Sequence, residues 1–196
     1  MRNLHLLCAL VLLGGSSCQP ILRSVYGIKQ PQLQDKLQIT AYAASHNLLT
    51  ENSYRIDSLA FLSLLKEQYK PGWSRGFRPI QFLCFDQQGK LTAQWASCEK
   101  NLTANILSSV PPSHLLPPDT TRTLKNLLAT CGPLALNGQA IPTQQDADYT
   151  LVAYWSTWTD KQSLKMIAQL REYIARHPEH KISLLLVNTD FYPGTL

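Results

Sequence analysis

An α/β domain, with a mixed central sheet flanked by helices, is what the sequence predicts, on three observations. The first is the stretch from Tyr149 to Asp190: a short apolar run to Tyr154, a polar turn from Trp155 to Gln162, a segment of helical period, and a second apolar run from Ile182 to Val187. Strand, helix and strand in that length make a right-handed βαβ unit. The second is a hairpin pattern: Arg78–Phe85 as one strand, Asp86-Gln-Gln-Gly89 as a tight turn and Lys90–Trp95 as the return. The third is physical. A lone βαβ unit cannot bury both faces of its strands, so the hairpin is expected to share its sheet.

Residues 1–18 read as a signal peptide. A positive charge at Arg2 precedes a short apolar core from Leu4 to Leu13, and Gly14-Gly-Ser-Ser leads into Cys18. The core is too short to span a membrane. Small residues followed at once by cysteine resemble the lipobox of bacterial lipoproteins, with Gly15 where leucine usually stands. That resemblance implies a lipid anchor on Cys18 and a place in the bacterial cell envelope. The alternative is a secreted protein with Cys18 in a disulfide. Residues 19–32 form the polar tether that an anchored domain needs.

Residues 33–110 hold three helices and the hairpin. Leu33, Leu37, Ala41 and Ala44 predict a helix ended by Asn47, Ser53–Ile56 a short strand, and Leu59, Leu62 and Leu65 a helix capped by Asp57 or Ser58. Another helix is expected from about Glu99 to Leu107. Residues 111–148 comprise a proline-rich connector, a helix capped by Asp119 with Leu124, Leu127 and Leu128 on one face, and a loop from Gly132 to Asp148. In the last portion, 149–196, the helical face is read at Leu164, Ile167, Ala168, Arg171 (through its stem) and Ile174. His177-Pro178 stops the helix, because proline lacks the donor. Ile182–Val187, apolar on both faces, reads as a buried parallel strand.

The βαβ stretch resembles the first half of a thioredoxin-fold domain. In that family an apolar strand runs into Trp-x-x-Trp, a Cys-x-x-Cys opens the helix, and the second strand ends near an acidic residue. Trp155-Ser-Thr-Trp158 stands where the aromatic signature belongs, which places Thr159 and Gln162 at the cysteine positions. The chemistry of that motif needs a thiolate at a helix N-terminus and a resolving thiol. Neither residue supplies sulfur, so the resemblance implies the fold and denies the redox activity. The hairpin resembles the other half, with Pro79 as the counterpart of the family's cis proline or else a trans proline opening an edge strand. The family places its halves in the opposite order. Circular permutation explains this best; two partial units side by side and a truncated product are the alternatives.

Five cysteines are present. With Cys8 leaving in the signal and Cys18 on lipid, Cys84, Cys98 and Cys131 remain in an oxidising setting. Cys84 lies in an apolar strand and reads as a buried small hydrophobe. Cys98 and Cys131 lie at element ends, and a bridge between them would contribute about 3.5–4 kcal/mol on the chain-entropy model. A redox couple made of them, or Cys84 beside Pro79, is the enzymatic alternative.

The formal charge of +5 is scattered without a basic block, which excludes nucleic acid as the natural partner. His177 and His180 do not fill a zinc shell, and no cofactor motif is present. Two of Asp146, Asp148, Asp160 and Asp190 are candidates to converge at the carboxyl edge of the sheet, where sites in open α/β sheets collect. Trp155, Trp158 and Trp95 either line a groove for an extended peptide or belong to the core. The expected protein is thus a non-catalytic envelope lipoprotein whose partners are the membrane, through its anchor, and an extended peptide or envelope protein.

Overall fold

A computed structural model describes residues 29, 34–49, 52–57, 80–96, 107–112, 123–132, 134–136 and 146–190. The signal and lipobox-like segment with Cys8 and Cys18, the helix expected after Ser58, Pro79, Cys98 and most of the proline-rich connector lie outside these residues. In chain order the elements are α1 (Lys36–Ser45), β1 (Ser53–Arg55), β2 (Gln81–Asp86), β3 (Leu91–Ala96), α2 (Leu124–Cys131), β4 (Leu134–Ala135), β5 (Tyr149–Trp155), α3 (Asp160–Arg176) and β6 (Ile182–Asn188).

The strands form one mixed sheet in the order β3-β2-β5-β6-β1-β4. β2 pairs antiparallel with β5 over its whole length, from Gln81 opposite Tyr154 to Asp86 opposite Tyr149. The hairpin and the βαβ unit therefore share a sheet. β5, β6 and β1 run parallel, so β6 has a parallel neighbour on each side, the position its unbroken apolar run calls for. The hairpin turn closes through Gly89 N–H donating to Asp86 C=O at 2.8 Å, with Gly89 at a φ of 73° that suits glycine. Asp86 Oδ1 also accepts from Lys90 N–H at 2.8 Å.

Side chains alternate between two cores, as the pleat requires. Phe82, Cys84, Ala93, Trp95, Leu151, Ala153, Trp155 and Leu186 face α1 and α3. Leu83, Phe85, Leu91, Val152, Tyr154, Leu185 and Val187 face the other way, where Leu124, Leu127 and Leu128 of α2 pack. The result is three layers, helix, sheet and helix.

Local chemistry sets the helix ends. Asp35 caps α1 through a capping box with Gln38. Thr123, four residues beyond the expected Asp119, caps α2 by accepting from Asn126 N–H at 3.2 Å, and Gly132 closes it in the left-handed region. α3 ends at Arg176, just before His177-Pro178.

Two expected helical faces require correction. In α1 the buried residues are Ile39 and Ala43, whereas Leu37 is 80% exposed. The leucine spacing traced the wrong stripe because the alanines fit either face. In α3 the buried set is Ser163, Met166, Ile167, Leu170 and Tyr173. Leu164 and Ile174 sit at its margin, while Ala168 and Arg171 are exposed. The Arg171 guanidinium instead donates to the Asn47 carbonyl, tying α3 to the end of α1. The stretch after Gly132, read as a loop, contributes β4, two residues antiparallel to β1. So short a strand carries no readable period.

Candidate functional site

β5 and β6 end together, with Trp155 opposite Asn188, and the chain leaves each at the same edge of the sheet. Thr189 fixes the junction: its N–H donates to Trp155 C=O at 2.8 Å and its hydroxyl to the same oxygen at 3.1 Å. Asp190 follows. Its Oδ2 accepts from Thr157 N–H at 2.7 Å and from the Asn188 amide at 2.9 Å, and its own N–H donates to Asn188 Oδ1 at 2.9 Å. Among the described residues, Oδ1 of Asp190 is buried without a hydrogen-bond partner, as is Nε1 of Trp155. Burial pushes the Asp190 carboxyl above the ordinary carboxylate range; the hydrogen bonds from Asn188 and Thr157 offset this only in part.

Between β5 and α3 lie three buried hydroxyls. Thr159 Oγ1 is 2.7 Å from Ser156 Oγ and 2.6 Å from Ser163 Oγ, and it donates to Ser156 C=O at 3.2 Å. Either oxygen can donate in each hydroxyl pair, and Ser163 Oγ also reaches Ser156 C=O at 3.4 Å, so the three hydroxyls and that carbonyl form one closed cluster. Ser156 N–H also donates to Ser163 Oγ at 3.2 Å. Thr159 is the N-cap of α3, yet its side chain makes no cap bond because the cluster holds it. Thr159 and Gln162, predicted as positions of lost chemistry, thus open α3, and Thr159 is only 1% exposed. A hydroxyl engaged only with other hydroxyls and a carbonyl has no base to activate it.

Asp160, the first residue of α3, has a φ of 21°. Its Oδ1 accepts from Tyr42 Oη at 2.6 Å and its Oδ2 pairs with Lys29 Nζ at 2.8 Å. Partial burial raises this carboxyl, but the bonds from Lys29 and Tyr42 outweigh that and hold it below the usual range. The Tyr42 hydroxyl moves the other way, raised by burial and then by Asp160. Its ring stacks on Trp155 at 5.8 Å and on His46 at 4.2 Å. Lys29 also donates its N–H to Trp158 C=O at 2.7 Å.

Of the four aspartates, Asp160 and Asp190 belong to this edge. Asp146 and Asp148 lie ahead of β5 at the opposite end, where Asp148 accepts from Lys181 N–H at 2.8 Å and Asp146 pairs with Lys181 Nζ. His177 and His180 are there too, His177 with Glu179 at 3.1 Å. Among the described residues no group of three His, Cys, Asp or Glu side chains is arranged to hold a metal ion. Trp155 and Trp95 are core residues, and Trp158 is half-buried.

Cys84 is a free thiol buried in β2. Burial pushes it to about 12, beyond what its hydrogen bond from Thr92 recovers, so it stays protonated at neutral pH. Cys131 ends α2. Tyr42, Lys29, Ser156 and Ser163 were not singled out from the sequence. The two serines flank Thr159 at spacings of three and four residues, a pattern that could have flagged them, whereas Tyr42 and Lys29 arrive from more than a hundred residues away. Comparison with family models, with curated proteins and with solved structures returns no match.

Proposed function

We propose that the chain is a non-catalytic, thioredoxin-like lipoprotein of the bacterial cell envelope that serves in binding or assembly. The observation that carries this reading is the hydroxyl cluster at the start of α3. The two positions where the family keeps its thiols hold Thr159 and Gln162, and the Thr159 hydroxyl is consumed by Ser156 and Ser163. The pairing of β2 with β5 supports the likeness, since it joins the hairpin half to the βαβ half with the two in reversed chain order. The protonated, buried Cys84 weighs against an oxidoreductase that recruits it. Anchoring rests on the small residues before Cys18 and on the length of chain, residues 19–32, that would separate it from the domain.

Two measurements test the reading together. The chain, expressed with its N-terminus in a bacterial host, is expected to incorporate radiolabelled palmitate, and Cys18→Ala to lose the label. The purified protein is expected to leave insulin disulfides intact in the presence of dithiothreitol beyond the uncatalysed rate. Label persisting in Cys18→Ala would reject the anchor, and catalysed insulin reduction would reject the non-catalytic assignment.

A further inference from the structure

The outward side of α3 gathers basic residues that are scattered along the sequence. With Met166, Ile167, Leu170 and Tyr173 turned to the sheet, the helical period puts Lys161, Lys165, Glu172 and Arg176 on the opposite side, and all four are exposed. The exposed Ala168 and Ala175 lie among them and add no bulk. Glu172 is the one acid there. Among the described residues, Lys161, Lys165 and Arg176 have no ion-pair partner. Arg171 flanks the group, with its guanidinium on the Asn47 carbonyl.

Helix stability does not account for this arrangement. Lys161 and Lys165 stand four residues apart, where like charges repel across one turn. Both lie in the first two turns of α3, at the positive end of its dipole, where an acid is favoured. The acids nearby are engaged elsewhere: Asp160 by Tyr42 and Lys29, and Asp35 in the capping box of α1. In the same layer, Leu37 of α1 is 80% exposed. A basic face with an outlying leucine suits a partner that is anionic at its surface and apolar beneath. The opposite layer differs, since α2 carries Lys125 as its one charged residue.

We propose that the outward face of α3, through Lys161, Lys165 and Arg176, docks on the surface of an anionic phospholipid bilayer. Charge complementarity carries the contact: three unpaired cations and a single acid meet a surface of phosphate groups. The proposal goes beyond the anchored binding role inferred above. A lipid on Cys18 would hold this face near a bilayer and raise its effective concentration there, but the contact itself does not require the anchor.

The test dilutes the full chain from detergent into preformed vesicles, either of phosphatidylcholine alone or with phosphatidylglycerol added. Acetylation of each lysine by a water-soluble succinimidyl ester is then read by mass spectrometry. Lys161 and Lys165 are expected to react about fivefold more slowly on the phosphatidylglycerol vesicles, the factor that one basic side chain gains near an anionic surface. Lys125, on the far side of the sheet, should react equally on both, and high salt should remove the difference at Lys161 and Lys165. Lys165→Glu, an exposed change that leaves the core untouched, is expected to bring the Lys161 ratio close to one. Equal rates for Lys161 and Lys165 on both vesicles, equal slowing of Lys125, or slowing that persists in Lys165→Glu or in high salt would each overturn the proposal. Slowing without vesicles as protein concentration rises would assign the face to a second copy and overturn it too. The comparison is between lipid compositions, so it is readable whether or not the chain carries a lipid. Palmitate labelling tests the anchor separately, and failure of either leaves the other standing.

Discussion

Trp155→Ala is expected to destabilise the protein by about 3–5 kcal/mol, the range for removing a fully buried aromatic side chain. Trp155 is the last residue of β5, wholly buried, and sits in the core between the sheet and the α1–α3 layer. Its ring supports Tyr42, and Tyr42 in turn carries a hydrogen bond to Asp160. The loss should therefore include part of the α1 contact as well as the transferred apolar area. At about 2–4 °C per kcal/mol for a domain of this size, the melting temperature should fall by roughly 10 °C. Trp155→Phe, which keeps an aromatic ring and removes the unpartnered indole N–H, should recover much of the deficit. Thermal denaturation followed by far-ultraviolet circular dichroism measures both. A loss below about 1 kcal/mol in the alanine variant would show that this position is not the packed junction described here.

Asp190 supplies the second large effect. Asp190→Ala leaves the Thr157 N–H without its acceptor in a buried loop, at a cost of about 1–3 kcal/mol. Asp190→Asn keeps an acceptor and removes the ionisable group, so it isolates the charge. Because burial raises the carboxyl in the folded state, the native protein binds that proton more tightly than the unfolded chain does. Its contribution is fully present below the ordinary carboxylate value of about 4 and is lost as pH rises through the raised value. Urea midpoints taken from about pH 4 to pH 7 should accordingly fall more steeply for the natural chain than for Asp190→Asn. Parallel slopes for the two would mean that Asp190 ionises in a solvated setting.

The sheet was legible in the sequence where local signals are strong. The Asp86–Gly89 turn and the two apolar runs around α3 place four of the six strands within a few residues, since period, glycine and β-branched content agree there. What joins them follows from the need to cover both strand faces, whereas no local signal sets the register of β2 on β5. Helical faces were less legible. α1 mixes alanine with few large apolar residues, so Leu37 and Ile39 compete, and tertiary packing decides for Ile39. In α3 the apolar residues support two overlapping stripes, and packing selects the one through Met166, Leu170 and Tyr173 with the polar Ser163 on it.

The candidate site was half legible. Trp155, Thr159 and Asp190 could be placed because each lies at a strand or helix end within one βαβ unit. Tyr42 and Lys29 could not, since hydrogen bonds to Asp160 across more than a hundred residues leave no trace in local spacing. Asp160 itself looked like a charge suited to a helix start. Its position there holds, and in the structure its carboxylate is also where Tyr42 of α1 and Lys29 meet α3.

The sharing of one sheet by two separated pieces of chain is open to a direct chemical measurement. Cys84 on β2 lies opposite Leu151 on β5. Antiparallel partners have Cα atoms about 4.5–5.5 Å apart, within disulfide range. Oxidative refolding of Leu151→Cys from denaturant, in which the Cys84 thiol is accessible before the sheet closes over it, followed by non-reducing peptide mapping should therefore join the residue 84 and residue 151 peptides, whereas Ala153→Cys, displaced two residues along β5, should join poorly. A crosslink from position 151 to Cys98 or Cys131 instead, or none to Cys84 in a folded variant, would contradict the shared sheet.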